Sequence, residues 1–217
     1  MNFDYIVFDL DGTLTESKEG ITKSIAYALS KMGIEPPELE VLEKYIGPPL
    51  IPCFIEDFGM SHQEAETALK FYRERFLEKG IYENAVYDGI KPLLEKLKEK
   101  GKTLVIATTK PTPQAETVLK HFGMFEMFDL VCGSNGKETL VEKPDIMAVA
   151  FKEIPLKNRS ETVMVGDRKY DVLGAKAHKI SSIGLTYGYG SETELMEAGA
   201  DFIVSSVEQL SALLLGF

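Results

Sequence analysis

The chain has 217 residues, with 24 Lys and Arg against 34 Asp and Glu, and so a net charge of −10. That length suits one large domain, or one domain carrying a smaller insert, and it buries enough core to fold without a disulfide or structural metal. The acidic balance argues against nucleic acid and anionic membranes as partners, so an anionic ligand must be drawn in locally, by a metal or a few placed cations.

Cys53 and Cys132 lie far apart with no ligand spacing around them and read as reduced thiols. The first apolar run, Tyr5 to Leu10, is short and holds Asp9. It is expected to be neither a signal peptide nor a membrane span, and a cytoplasmic protein is expected. Tyr5-Ile6-Val7-Phe8 is β-branched and aromatic without polar alternation, the pattern of a strand buried on both faces.

From Thr15 to about Tyr82 the pattern is helical. Ile21, Ile25, Ala28, Leu29 and Met32 share one face, and Pro37 to Tyr45 reads as a second helix ended by Gly47-Pro48-Pro49. A short apolar segment runs to Phe58-Gly59. Ser61 and Glu64 then form a capping box for a longer helix that stops by Gly80.

Beyond it, strands and helices alternate. Strands are expected at Thr103–Ala107, Leu130–Cys132, Thr162–Val165, Ser182–Leu185 and Asp201–Val204. Helices are expected from Lys91 to Lys100, from Pro113 to near Gly123, from Pro144 with Ile146, Met147, Val149 and Ala150 inside, over Asp171–Ala177, and over Ser206–Leu215. The alternation implies an α/β fold, a Rossmann-like parallel sheet with helices on both faces and an inserted α-helical cap. The core is expected over residues 1–15 and 85–217, and the cap over 16–84.

In such a sheet, ligands bind at the carboxyl ends of the strands. Asp9, Asp11, Gly12 and Thr13 follow the first strand, and Thr108, Thr109 and Lys110 follow the second. Lys143 precedes Pro144 at a helix start, where a cation and free backbone N–H groups suit an anion. Gly166, Asp167 and Asp171 follow the fourth strand, with the two aspartates one helical turn apart. Clustered carboxylates repel unless a cation lies between them, and oxygen donors of this kind suit Mg²⁺.

These residues, in this order and with the insert between the first two groups, resemble the haloacid dehalogenase superfamily of phosphohydrolases, in the branch with a helical cap. Asp9-Leu10-Asp11-Gly12-Thr13 is similar to the first motif, Thr108 to the second, Lys143 to the third and Gly166-Asp167-x-x-x-Asp171 to the fourth. Lys137 is an alternative for the third. Arg168, Lys169 and Tyr187-Gly188-Tyr189-Gly190 look like the phosphoglycolate phosphatase and bacterial 5′-nucleotidase group.

The resemblance implies a Mg²⁺-dependent phosphatase acting on a small phosphorylated metabolite. Asp9 would be the nucleophile that forms an aspartyl-phosphate, and Asp11 the general acid and base. Thr108, Thr109 and Lys143 would bind the phosphoryl group. Asp9, Asp167 and Asp171, with the backbone carbonyl of Asp11, would bind the metal. A phosphosugar mutase using the same intermediate, or a non-catalytic binding protein on the same fold, are the alternatives.

Overall fold

The computed structural model describes residues 3–135 and 142–216. Tyr5–Phe8 forms β1, and all four of its residues are buried, as an apolar strand without alternation requires. It is flanked in parallel on both sides, with Tyr5 in register with Thr103 of one neighbour and Thr162 of the other. Those neighbours are β4 (Thr103–Pro111) and β6 (Thr162–Gly166); β5 (Leu130–Ser134), β7 (Ser181–Leu185) and β8 (Phe202–Val204) complete a six-stranded sheet. Its order is β5-β4-β1-β6-β7-β8, parallel throughout. The chain winds outward from β1 through β4 to β5, then returns to β6 on the opposite side. That reversal opens a crevice at the carboxyl end of β1.

Side chains alternate across each strand. Tyr5, Val7, Val105, Ala107 and Met164 pack with Ile146, Met147 and Ala150 of α7 (Lys143–Glu153) and Ala175 of α8 (Lys169–His178). The intervening Ile6, Phe8, Leu104 and Ile106 are equally buried on the other face. There α5 (Ile90–Glu99) packs on β4, and α10 (Val207–Leu215) packs on α5. Leu93, Leu94 and Leu97 of α5 are buried, each a stabilisation of about 2 kcal/mol by transfer from water. Helix α6 (Thr112–His121) covers β4 and β5.

Two compact units share the chain: residues 1–16 with 86–217, and residues 17–85. Short strands β2 (Thr15–Glu16) and β3 (Ala85–Val86) pair where the chain leaves and re-enters the sheet unit. The second unit contains α1 (Lys18–Lys31), α2 (Leu39–Leu42), α3 (Leu50–Phe58) and α4 (His62–Arg75). The Ser61–Glu64 capping box is formed in both directions, at 3.3 and 2.8 Å. After α4 the backbone widens into a π turn, Phe76–Gly80. There α1 approaches so closely that a Cβ on Gly20 would stand 1.9 Å from the Gly80 carbonyl oxygen. Arg75 ties this base together, donating twice to Glu83 (2.8 and 2.9 Å) and once to Ser24 (3.1 Å). The Arg75 guanidinium also holds the Glu83 carboxyl below its usual range.

Several local expectations are corrected. Val149 is 39% exposed, because α7 presents only Ile146, Met147 and Ala150 to the sheet. The second helix of the insert is only four residues, followed by a 3₁₀ turn at Glu43–Tyr45. The apolar segment after Pro49 is helix α3, which ends at Phe58-Gly59 as the sequence suggests, with Gly59 in the left-handed conformation. An unanticipated helix, α9 (Glu192–Ala198), follows the fifth strand of the sheet, capped by Ser191. No described helix is long and apolar enough to cross a membrane.

Candidate active site

The chain leaves β1 through a tight turn. Asp9 N–H donates to Val165 O across the sheet, while Gly12 N–H donates to Thr15 O and Leu14 N–H to Leu10 O. Gly12 takes a φ of 81°, and a Cβ there would lie 2.3 Å from Asp167 Oδ2. Glycine is therefore required both by the conformation and by the close approach of the aspartate. The turn also sends the Thr13 hydroxyl to Asp167 Oδ1 at 3.2 Å.

Lys143 stands at the first turn of α7 with its side chain 1% exposed. Its Nζ lies 3.0 Å from Asp9 Oδ1 and 2.8 Å from Asp171 Oδ1, and donates to Ala107 O at 2.9 Å. Burial alone would lower the lysine pKa, but the fields of Asp171 and Asp9 outweigh it and raise it. Asp9 Oδ1 also accepts from Leu10 N–H at 2.7 Å, so its carboxylate plane is fixed. Asp171, in the first turn of α8, accepts from Arg168 N–H at 3.1 Å through Oδ2 and faces Lys143 through Oδ1. It caps the helix and lines the site at once.

Asp9, Asp167 and Asp171 are all buried, and one oxygen from each lies within 4.8 Å of the others. Burial, then Asp171 and Asp9, push the Asp167 carboxyl well above its usual range. Burial likewise raises Asp171, against the lowering field of Lys143. Three clustered carboxylates, two of them paired with the one Lys143 ammonium, leave an excess of two negative charges when all are ionised. The set therefore fits a divalent cation, and all-oxygen donors suit a hard ion such as Mg²⁺.

The other expected residues lie on the same strand ends. Thr108 is buried on β4, with its Oγ1 accepting from Lys110 N–H at 3.3 Å; Thr109 follows it and is half-buried. Asp11 is paired with Lys110, Nζ to Oδ2 at 2.8 Å. Lys137 lies outside the described residues. Within the insert, Tyr45 is buried, and Lys23 is engaged by Glu19 at 2.6 Å and Glu83 at 3.9 Å.

Sequence reasoning left the Tyr187-Gly188-Tyr189-Gly190 stretch without a role. It packs directly on Asp167. Tyr189 N–H donates to Asp167 Oδ2 at 2.8 Å, and a Cβ on Gly188 would stand 2.4 Å from the Asp167 Cβ and 2.3 Å from Gly12 O. The Tyr187 hydroxyl donates to Thr13 O at 3.0 Å, and its ring meets Tyr87 edge-on at 5.0 Å. Burial, with Tyr87 and Asp167 nearby, raises the Tyr187 phenol and keeps it a donor. Glu194 of α9 was also missed. It accepts from Lys169 N–H (2.8 Å) and Arg168 Nε (2.9 Å), pinning the start of α8. The glycines were the available signal for the first of these, since small residues mark close backbone approach. Nothing local marks Glu194.

A family model described as haloacid dehalogenase-like hydrolase matches residues 6–185. The chain is 42% identical over 195 residues to a 5′-nucleotidase of Pseudomonas aeruginosa, covering 90% of this chain and 88% of that one. It is 38% identical over 186 residues to the tyrosine-protein kinase PtkA of Mycobacterium tuberculosis, covering 85% of this chain and 62% of that one. It is 29% identical over 221 residues to a phosphoglycolate phosphatase of Haemophilus influenzae, with 98% of each covered. Among solved structures, a predicted phosphatase from Clostridium acetobutylicum matches with a TM-score of 0.95 and 44% identity over 100% of both chains. The sheet order, the acidic cluster at the end of β1 and these matches agree: the chain belongs to the haloacid dehalogenase-like hydrolase family.

Proposed function

We propose that this haloacid dehalogenase-like phosphatase hydrolyses a small phosphomonoester, of the nucleoside 5′-monophosphate or phosphoglycolate type, through an aspartyl-phosphate on Asp9. The observation that carries the reading is the buried Asp9–Asp167–Asp171 cluster with Lys143 paired to Asp9 and Asp171. It sets an oriented nucleophile beside fixed positive charge. The names of the Pseudomonas and Haemophilus relatives support the substrate class.

In this reading Asp9 attacks phosphorus while Asp11 gives a proton to the leaving oxygen. Asp11 then takes a proton from the water that hydrolyses the aspartyl-phosphate, which restores Asp9. Lys143 neutralises charge on the transferring group, and the hydroxyls of Thr108 and Thr109 donate to its oxygens. Mg²⁺ would be held by Asp9, Asp167, Asp171 and the Asp11 carbonyl, and would supply electrostatic stabilisation of the phosphoryl oxygens. The test is phosphate release across a panel of monoesters, with nucleoside monophosphates and phosphoglycolate included. Release from none of them would overturn the reading.

The name of the PtkA relative favours one second reading, in which the aspartyl-phosphate passes to a hydroxyl rather than to water. A phosphosugar mutase would be another case of such transfer. Phosphorylated acceptor without matching free phosphate would establish it.

The helical insert, residues 16–84, serves in this proposal as a hinged cover that excludes water during attack and admits it for hydrolysis. With a phosphate-mimicking inhibitor and Mg²⁺, hydrogen exchange should slow around Thr15 and around Tyr82-Glu83-Asn84, leaving the sheet interior unchanged. No change at either junction while the inhibitor binds would make the insert a rigid layer.

A further inference from the structure

The two oxygens of Asp11 stand in different surroundings. Oδ2 is 2.8 Å from Lys110 Nζ, with the lysine side chain 5% exposed and the aspartate 12%. Oδ1 is buried and takes no hydrogen bond. Lys110 reaches this place through an irregularity in its strand. The pairing of β4 with β5 is regular up to Thr108↔Gly133 and then shifts, resuming at Pro111↔Ser134. Such bulges re-aim side chains at strand ends beside active sites. Gly133 makes the room, since a Cβ there would lie 2.3 Å from Lys110 O and 2.7 Å from Thr112 N. The Lys110 N–H is folded back onto Thr108 Oγ1.

A buried ion pair is a weak device for stability, because desolvation offsets most of the attraction. A bulge, a glycine and a buried lysine directed at one oxygen of one carboxylate therefore need another account. We propose that Lys110 is a positioning residue for the hydrolysis described above: it holds Asp11 by Oδ2 and so reserves Oδ1 for proton transfer. This rests on the phosphatase reading. As the bond from Asp9 to phosphorus forms and the bond to the leaving oxygen breaks, the proton moves from Asp11 Oδ1 to that oxygen. In the second half a water oxygen bonds to phosphorus, its proton returns to Oδ1, and the bond from phosphorus to Asp9 breaks.

The test is Lys110→Met, assayed with an alkyl phosphate and with 2,4-dinitrophenyl phosphate, whose phenolate leaves without a proton. With the alkyl ester, kcat should fall about 100-fold, the range of a lost acid–base contribution, while KM changes little. With the dinitrophenyl ester, the first turnover should survive as a rapid burst of phenolate equal to the enzyme present. A slow steady state should follow, because hydrolysis of the aspartyl-phosphate still needs Asp11. Lys110→Arg, which keeps a cation, should recover part of the alkyl-ester rate. Equal loss on both esters with no burst, in protein of unchanged melting temperature, would overturn the proposal. So would a raised KM at unchanged kcat, which would make Lys110 a substrate-binding cation. If the Met variant does not fold, Lys110→Gln carries the same comparison, since its amide still donates to Oδ2 over a shorter reach. It should show a smaller alkyl-ester loss with the burst retained, and equal loss on both esters overturns the proposal there too. Wild-type protein that releases phosphate from no ester would instead remove the phosphatase reading itself.

Discussion

Asp9→Asn should reduce turnover by at least about 10⁴-fold, the scale on which losing a covalent nucleophile acts. The amide nitrogen cannot attack phosphorus, and the amide oxygen is a poor nucleophile. The surrounding contacts persist, however. The Asn oxygen can still accept from Leu10 N–H and from Lys143, the two partners of Asp9 Oδ1. Replacing one of three crowded carboxylates also relieves repulsion at Asp167 and Asp171. The variant should therefore unfold at a temperature close to that of the wild type. The measurement is kcat beside a thermal melt. Near-wild-type turnover would place the nucleophile elsewhere; loss of activity together with loss of fold would leave Asp9 a structural residue.

Exhaustive chelation should abolish turnover, and Mg²⁺ should restore it. The same ion should raise the melting temperature, because a ligand bound only by the folded state at 100 times its dissociation constant contributes about 2.7 kcal/mol. That shift follows from the charge imbalance of Asp9, Asp167 and Asp171 against Lys143, and it does not depend on catalysis. It should persist in reduced form in Asp9→Asn protein, which keeps Asp167 and Asp171 but loses one ligand carboxylate, and where activity cannot report it. Full activity in the chelated protein, or a melting temperature indifferent to Mg²⁺ in both proteins, would remove the ion from the site.

The parts of the molecule that were legible in the sequence are those whose physics is local. Tyr5–Phe8 announces a doubly buried strand through its apolar run, and Ser61 with Glu64 announces a helix start through side chains three residues apart. Asp9, Asp11, Asp167 and Asp171 stand out because acids at the ends of apolar strands are unusual. What escaped depends on sheet order. Lys110 sits beside Asp11 only because β4 neighbours β1, where the pairing of β4 with β5 shifts around that lysine. Tyr189 meets Asp167 only because β7 lies next to β6. Helix α9 was missed for a different reason: it is seven residues long and buries only Leu195, which is too little for a periodic signal.

The position of β1 has a consequence for how the chain is made. Its partners begin at Thr103 and Thr162, so during synthesis an apolar strand leaves the ribosome long before either neighbour exists. Residues 17–85, by contrast, form one uninterrupted piece whose internal contacts can all form once Ala85 has emerged. The helical unit is thus expected to fold first, while Tyr5–Phe8 waits with both edges unpaired. For that interval the strand is an open template for pairing with another nascent chain. Slowed translation between residues 86 and 162 should lengthen the exposure and increase aggregation during synthesis, with no change in the stability of the finished protein.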